Sequence, residues 1–221
     1  NQMDLRAPGF AVSREELSGD AALELACTAL RRGEIDCALV AAVDLCREEV
    51  HEHAARHALG RAGETSADAA VMLALKSREQ AEHDGDTIFG LISRDINSGN
   101  NTSFTVRNVP DKSPIFPKLG HAHAASGLLH IALGLLCLRS RIRINADGSS
   151  QPLLRAGTSL QATIENSSFG GERSKWQLHE APDGIAQSAA PGEAPLLRYY
   201  AAQDIVSLRE RVRNDEIGNE G

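Results

Sequence analysis

Aromatic side chains make up only 4% of the 221 residues, and tryptophan occurs once. So thin an aromatic supply argues against an aromatic-rich β sandwich, and the abundant alanine and leucine suit close-packed helices laid on a sheet. Runs of basic residues are equally scarce. The formal net charge is -7, with acidic and basic residues mixed along most of the chain. This excludes a basic footprint for nucleic acid and a polybasic membrane patch. The RSRIR run, Arg139 to Arg143, is short and reads as a solvated edge. The four cysteines, Cys27, Cys37, Cys46 and Cys137, form no CxxC pair, which excludes the usual zinc and dense-disulfide frameworks. Cys27, Cys37 and Cys137 sit in apolar runs and are expected to be small buried residues of a reducing, cytoplasmic protein. No signal peptide is recognised at the start. The longest apolar run, Gly127 to Leu138, is broken by His130 and too short to span a bilayer, so no membrane is expected. The sequence starts abruptly at NQMDL, which reads as part of something longer.

What is present alternates between two periodicities. Leu17, Ala21, Ala22, Leu25, Ala26, Ala29 and Leu30 carry helical spacing, ended by the Arg31-Arg32 pair and Gly33. "IDCALVAAVDL" is a mostly apolar run expected to form a strand buried on both faces. "EEVHEHAARHALG" reads as a short helix ending at Gly60. "DAAVMLALKS" and "DTIFGLISRDI" read as strands flanking a helical "REQAEHDG". Residues 97–118 carry three prolines and predict a loop. A helix is expected from Ala122 to Leu138, then strands in "SRIRINA", "LQATIENSSFG" and "SKWQLHEAP". Pro182 to Pro195 is rich in Ala, Pro, Gly and Ser. The expected organisation is a main region over 1–182, a linker over 183–195 and the start of a following strand–helix unit over 196–221. The alternation implies a layered α/β fold.

Single motifs are weak. His53 and His57 share one helix face at i, i+4, but no HExxH pattern accompanies them, and they read as an amphipathic surface helix. "SFGGERS" has two adjacent glycines without a phosphate-loop lysine. No metal and no cofactor is expected.

The order of segments says more. "GEIDCALVAAVDL", "DAAVMLALKSREQAEHDGDTIFGLI", "GHAHAASGLLHIALGLL" and "SFGGERSKWQLHEAP" together resemble the β-ketoacyl synthases of fatty-acid and polyketide synthases, of the thiolase superfamily. The resemblance runs from Asn1 to about Pro182. Its more specific elements are the G-H-x-x-A-A-x-G run at Gly120-His121 and the F-G-G loop at Phe169, Gly170 and Gly171. It implies a partial thiolase-like layered α-β-α fold, the C-terminal part of a ketosynthase domain.

Such enzymes acylate a cysteine at a strained turn before a buried helix, and two histidines then assist decarboxylation of a malonyl thioester, with a lysine nearby. Counting back from "LACTALRRGE" puts Glu16 at the cysteine position. A carboxylate there forms no thioester of useful lifetime and is a poor nucleophile at neutral pH. The histidine of an H-G-T-G-T motif is missing, and Phe116 stands at the lysine position. Of the catalytic set only His121 matches. The resemblance therefore implies a degenerate, non-condensing ketosynthase, closest to the chain-length-factor domains of polyunsaturated-fatty-acid and polyketide synthases. Expected partners are an active ketosynthase and an acyl carrier protein with its phosphopantetheine-bound acyl chain. Phe116, Phe169, Gly170 and Gly171 would line the acyl tunnel. The alternative is a malonyl-thioester decarboxylase retaining a partial reaction through His121.

Overall fold

Two short helical stretches of sequence supply the centre of the fold. In the computed structural model, which describes residues 7–46, 48–59, 66–94, 103–109, 112–153 and 159–181, these are α1 (Ser18–Arg31) and α5 (His123–Ser140). The chain divides into two units, Asn1–Ser188 and Ala189–Gly221, and all described residues belong to the first. The expected linker over 183–195 and the segment over 196–221 lie outside the described residues.

In chain order the elements are α1, β1 (Cys37–Asp44), α2 (Glu49–Leu59), β2 (Ala69–Lys76), α3 (Arg78–Asp84), β3 (Leu91–Ser93) and β4 (Phe104–Arg107). After these come α4 (Phe116–Leu119), α5, β5 (Ile142–Ile144), β6 (Ser150–Pro152), β7 (Gln161–Ser167) and β8 (Arg173–His179). Strands β1 and β2 pair antiparallel, from Cys37 opposite Lys76 to Asp44 opposite Ala69. A second sheet has the order β3-β8-β7-β4, antiparallel except for the parallel β4–β7 pair. β5 and β6 form a separate hairpin.

Helix α5 packs on β1 and β2 at one side and on β7 and β8 at the other, with α1 alongside it. Its residues are accordingly apolar on all sides, as a helix buried all round must be. Leu128, Ile131 and Leu138 have no exposed surface, and neither do Ile164 and Leu178 facing them in the same core. The contact is so close that a Cβ on Gly134 would lie 2.6 Å from Ile164 Cδ1 and 2.7 Å from Leu178 Cδ1. By length and composition α5 is sufficient to cross a membrane, more than the interrupted run in the sequence suggested. Here it is the core helix between two sheets.

Four expectations are corrected. β1 is buried on one face only: Val40 and Ala42 face α1 and α5, while Leu39 and Val43 are exposed with Met72 of β2 on the same side. Both central helices cover the inner face, and among the described residues nothing packs on the outer one. The stretch 97–118 is not all loop. Phe104 and Val106 alternate into the core as β4, and α4 starts after Pro114 with Pro117 in its first turn. Cys37 begins β1 on its exposed side, whereas Cys46, just past the end of β1, is buried; all four thiols are free. Burial raises the thiol pKa of Cys27, Cys46 and Cys137. "DTIFGLISRDI" contributes only the three residues of β3, an edge strand paired with the end of β8.

Candidate functional site

The segment Arg14 to Ser18 makes a tight turn directly ahead of α1. Leu17 N–H donates to Arg14 O at 2.9 Å, and the Ser18 hydroxyl donates to Glu15 O while accepting from Arg14 N–H. Glu15 takes φ 47°, a left-handed conformation that costs a non-glycine residue on the order of 1 kcal/mol or more. The turn directs Glu16 inward, where it is 5% exposed. Glu16 Oε2 accepts from the backbone N–H of Phe169 at 3.0 Å.

Phe169 belongs to the loop between β7 and β8. That loop is closed by Gly171 N–H donating to Ser168 O, with Gly171 at φ 85°. Gly170 lies over the turn: a Cβ there would sit 3.5 Å from Glu15 Oε2. Arg14 Nε also reaches Glu172 at 2.9 Å, so turn and loop are joined at two points.

His121 lies between α4 and α5 and is buried. Its ring is 4.5 Å from that of Phe116 and 5.3 Å from that of Phe169, stacked on the latter at 24°. Nδ1 accepts from the His123 backbone N–H at 3.0 Å, which leaves the proton of the neutral ring on Nε2. Burial, reinforced by His123 and His130, lowers the His121 pKa to about 3. His121 is therefore a neutral hydrogen-bond donor across the whole physiological range.

The other two histidines differ. His123 takes φ 35° at the start of α5, and its Nε2 is 3.2 Å from Ser66 Oγ. His130 has no exposed surface. Its Nδ1–H donates to Ser126 O at 2.7 Å, so Nε2 accepts from Ser113 Oγ at 2.8 Å. Ser113 Oγ in turn accepts from the backbone N–H groups of Ile115 and Phe116. His130 thus fixes the chain that presents Phe116, and burial lowers its pKa to about 4. His53 and His57 are exposed on α2.

The site residues drawn from the resemblance fall in one connected cluster: Glu16, Phe116, His121, Phe169, Gly170 and Gly171. Phe169 is the link, its N–H held by Glu16 and its ring stacked on His121. A buried network under α1 was missed. Asp20, 3% exposed, accepts from Asn166 Nδ2 (2.9 Å) and Trp176 Nε1 (2.9 Å). Asn166 Nδ2 also reaches Gly127 O at 3.2 Å, so α1, α5, β7 and β8 meet at one carboxylate. Burial raises the Asp20 pKa despite these bonds and the Arg94 charge. A charged residue one turn after Glu16, on an apolar helix, was the available signal.

With this geometry in view, comparison with solved structures identifies the architecture. The ketosynthase from module 6 of the bacillaene synthase of Bacillus subtilis superposes with a TM-score of 0.67 at 19% identity, over 82% of this chain and 47% of that one. The fold is that of a ketosynthase domain. Two oxazolomycin ketosynthase domains of Streptomyces albus agree. One gives a TM-score of 0.66 at 16% identity, over 95% of this chain and 53% of its own. The other gives 0.62 at 19%, over 90% and 70%. The chain spans about half the length of several of the ketosynthase structures it resembles, the Bacillus subtilis one among them. The family model of the beta-ketoacyl synthase N-terminal domain matches residues 1–81, which include Glu16 and α1. Comparison with curated proteins gives no match.

Proposed function

We propose that the chain is a non-condensing, chain-length-factor-like ketosynthase domain of a fatty-acid or polyketide synthase. It pairs with an active ketosynthase and helps shape the tunnel for an acyl chain carried on an acyl carrier protein, in the cytoplasm. The observation that carries this reading is the bond between Glu16 and Phe169 N–H. An N–H aimed at the nucleophile position is where a thioester carbonyl oxygen would find its donor during acyl transfer. Here a buried carboxylate occupies both places: it stands where the nucleophile would be and takes the donor that would receive the oxyanion. Phe116 and Phe169 pack over His121 and leave an apolar wall in place of a charged lysine.

The pairing is supported by the outer face of β1 and β2. Leu39 (46% exposed), Val43 (56%) and Met72 (60%) lie together there. A sheet with apolar residues on both sides suits burial between two layers. The malonyl-thioester decarboxylase reading has the neutral His121 donor in its favour. Against it, the Glu16 carboxylate opposes the developing enolate charge. A pull-down against the active ketosynthase of the same synthase tests the proposal. A complex at micromolar concentration is expected, and none at that concentration contradicts it.

A further inference from the structure

We propose that Ser66 and His123 form an acyl-accepting dyad beside His121, acting on small acyl thioesters. Ser66 Oγ and His123 Nε2 are 3.2 Å apart, within reach for proton transfer. Both residues are partly exposed, unlike the buried Glu16 and His121. The backbone holds the pair from two sides: Ser66 bridges to His121, and Ala67 N–H donates to His121 O at 2.9 Å. His123 is kept at φ 35°, a conformation that a histidine at the start of a helix adopts only when its surroundings impose it. That conformation brings its ring to 4.7 Å from His121 and 6.3 Å from Phe169.

The surroundings supply the rest of an acyl-transfer site. His121 carries its proton on Nε2 and is a fixed donor next to the dyad. The half-exposed Phe169 ring gives an apolar wall for an acyl group. Cys46, the other nucleophile near Ser66, is held as an inert thiol. Burial, with Asp44 and Asp68 close by, raises its pKa to about 12.

In the proposed step the Ser66 hydroxyl proton passes to His123 Nε2 as Oγ bonds to the thioester carbonyl carbon. The carbon–sulfur bond then breaks, and the imidazolium returns the proton to the departing thiolate. The products are an acyl-Ser66 ester and a free thiol, with no redox change. The choice of a thioester rests on the ketosynthase-like reading; the dyad itself does not.

The test treats the chain with the acetyl thioester of N-acetylcysteamine and, separately, with 4-nitrophenyl acetate, followed by peptide mass spectrometry. An acetyl adduct on the Ser66 peptide is expected from both. It should be absent in Ser66→Ala and form about 100-fold more slowly in His123→Gln, the loss expected for a general base. Ser66→Cys should retain the adduct, which guards against loss through misfolding. No adduct in either the unaltered chain or Ser66→Cys overturns the dyad, as does an adduct whose rate ignores His123→Gln. Labelling by the oxygen ester alone overturns the thioester assignment and leaves the dyad standing. None of these outcomes bears on the pull-down.

Discussion

Replacing Gly127 by alanine sets two opposed effects against each other. Gly127 lies inside α5, where helix propensity alone makes alanine better by about 1 kcal/mol. The structure opposes this. An added Cβ would lie 1.9 Å from Asp20 Oδ2 and 3.1 Å from Asn166 Nδ2. The carboxylate has to move by more than an ångström, though its hydrogen bonds to Asn166 and Trp176 fix it in a site with almost no solvent. Overpacking costs about 1–3 kcal/mol, and each buried donor left without its acceptor costs about 1–3 kcal/mol more. If one donor is lost, the net effect is destabilisation by about 3 kcal/mol. Urea unfolding followed by circular dichroism reads it directly. The cost should shrink by at least about 1 kcal/mol in an Asp20→Ala background, since the clash is then gone. Stabilisation by Gly127→Ala, or equal cost in both backgrounds, would show that no clash with Asp20 opposes the added methyl group.

Three other outcomes are expected. His121 and His130 are lowered from 6.5 to about 3 and about 4 by burial, so the unfolded chain binds more protons than the folded one below pH 6.5. Stability from this source is complete above that value and declines as pH falls toward 4, by on the order of 3 kcal/mol per histidine. Asp20, raised by burial, works in the opposite sense; urea midpoints that rise between about pH 7 and about pH 5 would contradict the histidine account. Ser113→Ala removes the hydroxyl held by His130 and by two backbone N–H groups, with an expected loss of about 2 kcal/mol in the same unfolding assay. In hydrogen exchange the Phe169 amide should be protected and should lose that protection in Glu16→Ala; equal exchange in both contradicts the Glu16 contact.

The periodic elements were readable from sequence because burial sets their pattern. The helical spacing from Leu17 to Leu30 became α1, the alternation in "LQATIENSSFG" and "SKWQLHEAP" became β7 and β8, and the apolar run after Gly127 became most of α5. β4 escaped because four residues between turn-forming neighbours carry too little pattern, and its strand exists through pairing with β7 far along the chain. The one-sided burial of β1 was hidden for a related reason. An apolar run does not reveal whether a second layer covers it. In the site, counting from "LACTALRRGE" assigned Glu16 to the cysteine position, and the structure shows Glu16 in a tight turn ahead of α1. Its bond to Phe169 N–H joins positions more than a hundred residues apart, as does the Asp20–Asn166–Trp176 network. No local signal encodes such contacts. A charged residue on the inward side of an apolar helix is the only trace that Asp20 leaves.

Carbon dioxide release from a malonyl carrier protein reads the proposed chemical silence at position 16, because condensation and simple decarboxylation both liberate it. The chain and its His121→Ala variant should both show only the uncatalysed rate. Release above that rate that is lost in His121→Ala would contradict the account.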